Sequence, residues 1–122
     1  MKRSTVFATV LSLLLVAGSV FAGDTTQKYE VVCMKCLAHH TALGDGGGHG
    51  TTHAACAMKC STKGVDLGLM DSKGNVYLPI NQDFESARDV IKDKAGDTIE
   101  LTGTVIKTKG VNYLQLADTQ SK

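Results

Sequence analysis

Residues 65–80 read VDLGLMDSKGNVYLPI. Two apolar, β-prone runs, Val65–Met70 and Asn75–Ile80, flank Asp71-Ser72-Lys73-Gly74, whose residue types favour a tight turn. The stretch predicts an antiparallel hairpin. The chain downstream continues in the same way. Asp83–Ala95 places Phe84, Ala87, Val90 and Ile91 at helical spacing and stops at Gly96, which predicts a helix with Phe84, Val90 and Ile91 in the core. Thr98–Lys107 then alternates Ile99, Leu101, Gly103 and Val105 on one face. Lys107-Thr108-Lys109-Gly110 supplies a turn, and Val111–Ala117 is a last strand. Gly103 at an inward strand position marks a bend or bulge, and the Tyr77 and Tyr113 rings are expected to pack or cap rather than bind ligand.

Upstream of the hairpin the pattern changes. Tyr29-Glu30-Val31-Val32 is a short strand running into Cys33. The glycine tract of residues 44–50 reads as a loop. Thr52 is placed to cap an Ala-rich helix through Cys60, with Gly64 just past its end. The order is strand, long loop with helix, hairpin, helix, hairpin. This predicts a mainly β protein with two short helices: a five-stranded OB-like β-barrel with a Cys/His-rich loop-helix insertion, residues 33–64, between strands 1 and 2. An open sheet is the alternative. Connections between strands 1 and 2 are among those OB-folds use for ligands.

The N-terminus suggests where the chain works. Met1-Lys2-Arg3 is basic, Val6–Val20 is mostly apolar, and Val20-Phe21-Ala22 suits a cleavage site. These are the parts of a Sec signal peptide over residues 1–22, cleaved after Ala22. The expected mature chain, residues 23–122, is a single domain, periplasmic or secreted, with no membrane anchor. Without Lys2 and Arg3, the 13 Lys+Arg fall to 11 against 12 Asp+Glu, a net charge of −1. That provides no basic field for nucleic acid. Trp is absent and aromatics make up 5% of the chain, so a stacking platform for bases or sugars is poorly supported.

All four cysteines and all four histidines fall between Cys33 and Cys60. On a helix each residue advances about 100°, so His53, Cys56 and Cys60 project from one arc roughly 60° wide. Cys33-Met34-Lys35-Cys36 offers two more sulfurs at the end of the first strand. The expected metal ligands are Cys36, His53, Cys56 and Cys60, followed by Cys33, His39 and His40, with His49 last. Thiolates favour copper, and the Cys/His mixture favours zinc.

The competing reading is structural. An even cysteine count in a small secreted domain is the usual setting for disulfides, with three connectivities open. Closing a loop as long as Cys36–Cys56 would stabilise by roughly 3 kcal/mol. Disulfides leave the clustered histidines unexplained. A mixed state, one disulfide beside a Cys/His metal site, is also open. Covalent haem needs CxxCH, but Leu37 follows Cys36 and Ser61 follows Cys60. A thioredoxin-type CxxC opens a helix in a βαβ unit, whereas this one is read as closing a strand. A Cys-His hydrolase would need one low-pKa thiolate rather than four clustered cysteines. No GK[ST] follows the glycine tract, so it is not a phosphate loop.

Three stretches also carry a resemblance: His53-Ala54-Ala55-Cys56-Ala57-Met58-Lys59-Cys60, the Gly68–Tyr77 hairpin segment, and Leu101-Thr102-Gly103-Thr104-Val105. The chain resembles a group of small secreted bacterial proteins. They share a cysteine after a short first strand, a histidine, an HAxCAxxC element and an OB-like β-domain. This chain departs from them in pairing Cys33 with Cys36 and doubling His39-His40. The resemblance implies a secreted β-domain with a Cys/His site. The expected protein is therefore a non-enzymatic binder of zinc or copper, its partners the metal ion and an envelope protein. The alternative is a disulfide-stapled interaction module.

Overall fold

The computed structural model describes residues 23–44 and 54–120. The expected signal peptide, the Thr52 cap, His49 and His53 lie outside the described residues. Five strands close into a barrel: β1 (Thr25–Cys33), β2 (Leu67–Met70), β3 (Val76–Ile80), β4 (Thr98–Lys107) and β5 (Asn112–Leu116), in the cyclic order β1-β2-β3-β5-β4. All pairings are antiparallel except β3 with β5, which is parallel. The OB-like barrel read from the sequence is the fold.

The pivot of the barrel is β1. Its first half pairs with β4, from Thr25 opposite Gly103 to Glu30 opposite Thr98. Its second half pairs with β2, from Glu30 opposite Met70 to Cys33 opposite Leu67. Along it, Tyr29, Val31 and Cys33 alternate inward and are fully buried. Leu69, Leu101, Leu114 and Leu116 meet them in the core. The Tyr29 ring meets Tyr77 edge-on, with centroids 5.8 Å apart and planes at 79°. Gly103 is required at the β4–β5 crossing, because a Cβ there would run into the Gln115 carbonyl oxygen.

Two expectations about helices need correction. The segment after Cys33 is not all loop: Met34–Leu43 forms a helix, α1, ended by Gly44 in the left-handed conformation at φ 73°. The chain therefore has three short α-helices rather than two, among the described residues. The second correction concerns Asp83–Ala95, where only Arg88–Ile91 is α-helical (α3), followed by a 3₁₀ turn at Lys92–Lys94. The Asn81 side-chain oxygen explains the late start. It accepts the Asp83 and Glu85 N–H groups, each at 2.9 Å, and winds residues 81–85 into a local turn. Within that turn Phe84 has φ 63° and is 69% exposed, so it is not a core residue. Ala87 and Ile91 do enter the core, and Val90 packs against it half-buried.

Candidate metal centre

The cysteines reach one place from three elements. Cys33 arrives by strand register: it is the inward residue at the end of β1 and at the same time the residue that opens α1. CMKC therefore both closes a strand and starts a helix, which corrects the reading that it only closes a strand. Cys36 lies on the first turn of α1. Cys56 and Cys60 lie on α2 (Ala54–Thr62). That helix ends as the sequence suggested. Gly64 adopts φ 74°, its N–H bonds the Ser61 carbonyl at 3.2 Å, and the Val65 N–H reaches back to the Cys60 carbonyl at 3.1 Å.

Specific contacts seat α2 on the barrel. Ala57 is buried in the core. The Ser61 hydroxyl donates to the Lys92 carbonyl at 2.6 Å. Arg88 donates to the Ser61 carbonyl at 2.7 Å and, through two nitrogens, to the Val65 carbonyl at 3.2 and 3.1 Å. Gly96 lies against the first turn; a Cβ on it would fall 2.6 Å from the Ala54 Cα. By contrast, no residue of α1 is fully buried.

With the helices so placed, the sulfurs of Cys33, Cys36 and Cys60 lie within 4.8 Å of one another. Cys36 Sγ stands 4.0 Å from Cys60 Sγ and 3.1 Å from Cys56 Sγ. Zinc–sulfur bonds of about 2.3 Å put the sulfurs of a tetrahedral or trigonal site roughly 3.8–4.0 Å apart. The Cys36–Cys60 spacing falls in that range. The cluster is close enough to hold a metal ion. Cys33 is buried, Cys36 and Cys60 are half-buried, and Cys56 is exposed at the rim. All four cysteines are free thiols here.

The thiols are not electrostatically alike. Burial pushes Cys33 up, but the backbone N–H groups of Cys36 and Lys35 and the Cys60 and Cys36 thiols outweigh it and hold Cys33 below the ordinary thiol range. Those N–H groups belong to the first turn of α1. Cys36 is pushed well up, first by its contact with the Cys56 thiol, then by burial and by Cys33. Cys60 is also raised, chiefly by its contact with Cys33 and by burial. Cys33 is thus shifted down and its neighbours Cys36 and Cys60 up. This arrangement suits a cation that replaces the shared protons.

The sequence put Cys36, His53, Cys56 and Cys60 first; the structure brings Cys36 near Cys56 and Cys60, but the three-sulfur group is Cys33, Cys36 and Cys60. Cys33, ranked below them, is the buried member of the trio. The signal for it was the alternation Tyr29, Val31, Cys33. His39 and His40 lie on α1, with rings 5.4 Å apart and planes at 87°, and their nitrogens are not part of the three-sulfur group. Asp71 organises the β2–β3 turn instead of the cluster. It accepts the backbone N–H groups of Lys73 and Asn75 at 2.9 Å, the Asn75 amide at 3.0 Å and the Tyr77 hydroxyl at 3.1 Å. Burial works against its charge, but these bonds prevail and hold its carboxyl below the usual range.

The chain matches no protein-family model, and no curated protein or solved structure is significantly similar to it.

Proposed function

We propose that the mature protein is a soluble periplasmic binder of one transition metal ion, zinc or copper, that stores, delivers or senses it and catalyses no reaction. The observation that carries this is the meeting of Cys33, Cys36 and Cys60 within 4.8 Å of one another where β1 ends and α1 begins. The basic and apolar character of residues 1–22 supports export. Cys56, and His53 three residues before it in the sequence, are the candidates for a fourth donor. Cys33 and Cys60 come from different elements, so a bound ion ties α2 and the start of α1 to β1. The ligands must lose protons to bind, so loading releases protons and weakens as pH falls.

The test is native mass spectrometry of unreduced protein from a periplasmic extract, with elemental analysis. One zinc or copper per chain is expected, on a polypeptide beginning at Gly23. Cys36→Ser and Cys60→Ser should each lower affinity at least ~100-fold, given the thiolate dependence of such sites. A polypeptide four protons light and free of metal would overturn the proposal. It would favour the second reading, a disulfide-stapled interaction module, which the 3.1 Å approach of the Cys36 and Cys56 sulfurs supports.

A further inference from the structure

The four sulfurs do not share the cluster equally. Cys33, Cys36 and Cys60 form the inner trio, while Cys56 is the exposed thiol and touches Cys36 at 3.1 Å. That separation is closer than the roughly 3.8 Å expected between two sulfurs on one tetrahedral zinc. It is about 1 Å beyond a disulfide bond. Cys36 is also the sulfur that the others share, with Cys60 at 4.0 Å and Cys33 within 4.8 Å. A reagent from solvent meets Cys56 first, and the sulfur next to Cys56 is a member of the trio.

We infer that Cys56 and Cys36 form a thiol–disulfide exchange site whose oxidation opens the metal centre. The inference rests on the metal-binding reading above. The reactant is a disulfide presented by an oxidised dithiol protein or a small disulfide. The Cys56 sulfur gives up its proton and attacks one sulfur of that disulfide. The reactant's S–S bond breaks, a mixed disulfide forms and one reactant thiol leaves. The Cys36 sulfur then attacks the Cys56 sulfur, the Cys36–Cys56 bond forms and the second reactant thiol leaves. Two electrons pass from Cys36 and Cys56 to the reactant, and its two sulfurs take up two protons. Afterwards Cys33 and Cys60 remain as two thiols where three had converged, and the ion dissociates. Reduction of the bond restores the trio.

Mature protein loaded with zinc and exposed to oxidised glutathione tests this. Free zinc is followed with a chromogenic chelator, and the disulfides are mapped by mass spectrometry after thiols are blocked. One zinc should leave per Cys36–Cys56 bond formed, and a dithiol reductant should restore uptake. Cys56→Ser, compared at equal zinc occupancy and corrected for its own loss without oxidant, should release the ion at least ~10-fold more slowly under the same oxidant. Release from Cys56→Ser at the wild-type rate overturns the inference, as does a first disulfide between any other pair. If neither protein takes up zinc, the metal-binding reading itself fails and the gating role falls with it. The disulfide map still decides whether Cys36 and Cys56 are the exchanging pair.

Discussion

The barrel and the insertion that carries the cysteines are held by different means. In the barrel every strand is hydrogen-bonded on both sides, and the interior is filled by fully buried side chains such as Tyr29, Leu69, Leu114 and Leu116. In the insertion, α2 is fixed by one core alanine, Ser61 and the Arg88 guanidinium, and α1 buries no side chain fully. The barrel should therefore be stable by itself. The insertion packs on it through fewer buried side chains. The site lies where the two regions join, because Cys33 belongs to the barrel and Cys36 and Cys60 belong to the insertion.

That contrast can be broken or sharpened by experiment. The largest effect is expected from Leu114→Ala, which empties part of the barrel core and should cost about 2–5 kcal/mol in urea unfolding. A much smaller loss would mean that the barrel is not the stable half. Next is metal removal. At one hundred times the dissociation constant a bound ion stabilises the state that binds it by about 2.7 kcal/mol. Adding a chelator should therefore speed amide exchange in α1 and α2 and leave β4 and β5 unchanged; uniform loosening would contradict the division. Third, Arg88→Ala removes both guanidinium bonds to the Val65 carbonyl and leaves the Ser61 carbonyl with only the Gly64 N–H, and should cost about 1–3 kcal/mol. Its effect should be concentrated in α2 exchange rates, and a change confined to the barrel would show that Arg88 is not what seats the helix.

The smallest effect is pH-dependent and lies at the β2–β3 turn. The folded Asp71 carboxyl titrates below its unfolded value. Its contribution is therefore complete above the unfolded value of about 3.9 and is lost as pH falls through the lower folded value. Asp71→Asn should cost roughly 1 kcal/mol at neutral pH, and the difference from wild type should shrink below about pH 4. A difference constant with pH would mean that the charge contributes nothing.

Much of the barrel was legible because strands that bury one face alternate. Thr98–Lys107 is β4 residue for residue, and the turn at Asp71–Gly74 lies where the sequence put it. The parallel contact of β3 with β5 has no local signature, and it followed only from counting strands and placing a helix between the third and fourth. The helix α1 was missed for a physical reason. MKCLAHHTAL presents no strong apolar stripe, and the glycine tract beyond it drew the boundary too early. The failure at Phe84 came from reading side-chain spacing alone, when a single Asn81 amide had already committed the backbone to a turn. For the site, helical periodicity found Cys56 and Cys60. Strand periodicity held the information about Cys33, but its weight became evident only when β1 was seen to run directly into α1.

The double pairing of β1 also sets a timetable. This strand is near the beginning of the chain, and the β4 partner of its first half comes about seventy residues later. Closure is non-local and correspondingly slow. Cys33 is flanked by β2, opposite Leu67, and its full enclosure is complete only when the barrel closes around it. Whether this cysteine is delivered reduced to its final place is then a race between barrel closure and whatever oxidises thiols around the nascent chain. A mutation that slows barrel closure would bear on the oxidation state of the finished site without touching a single sulfur.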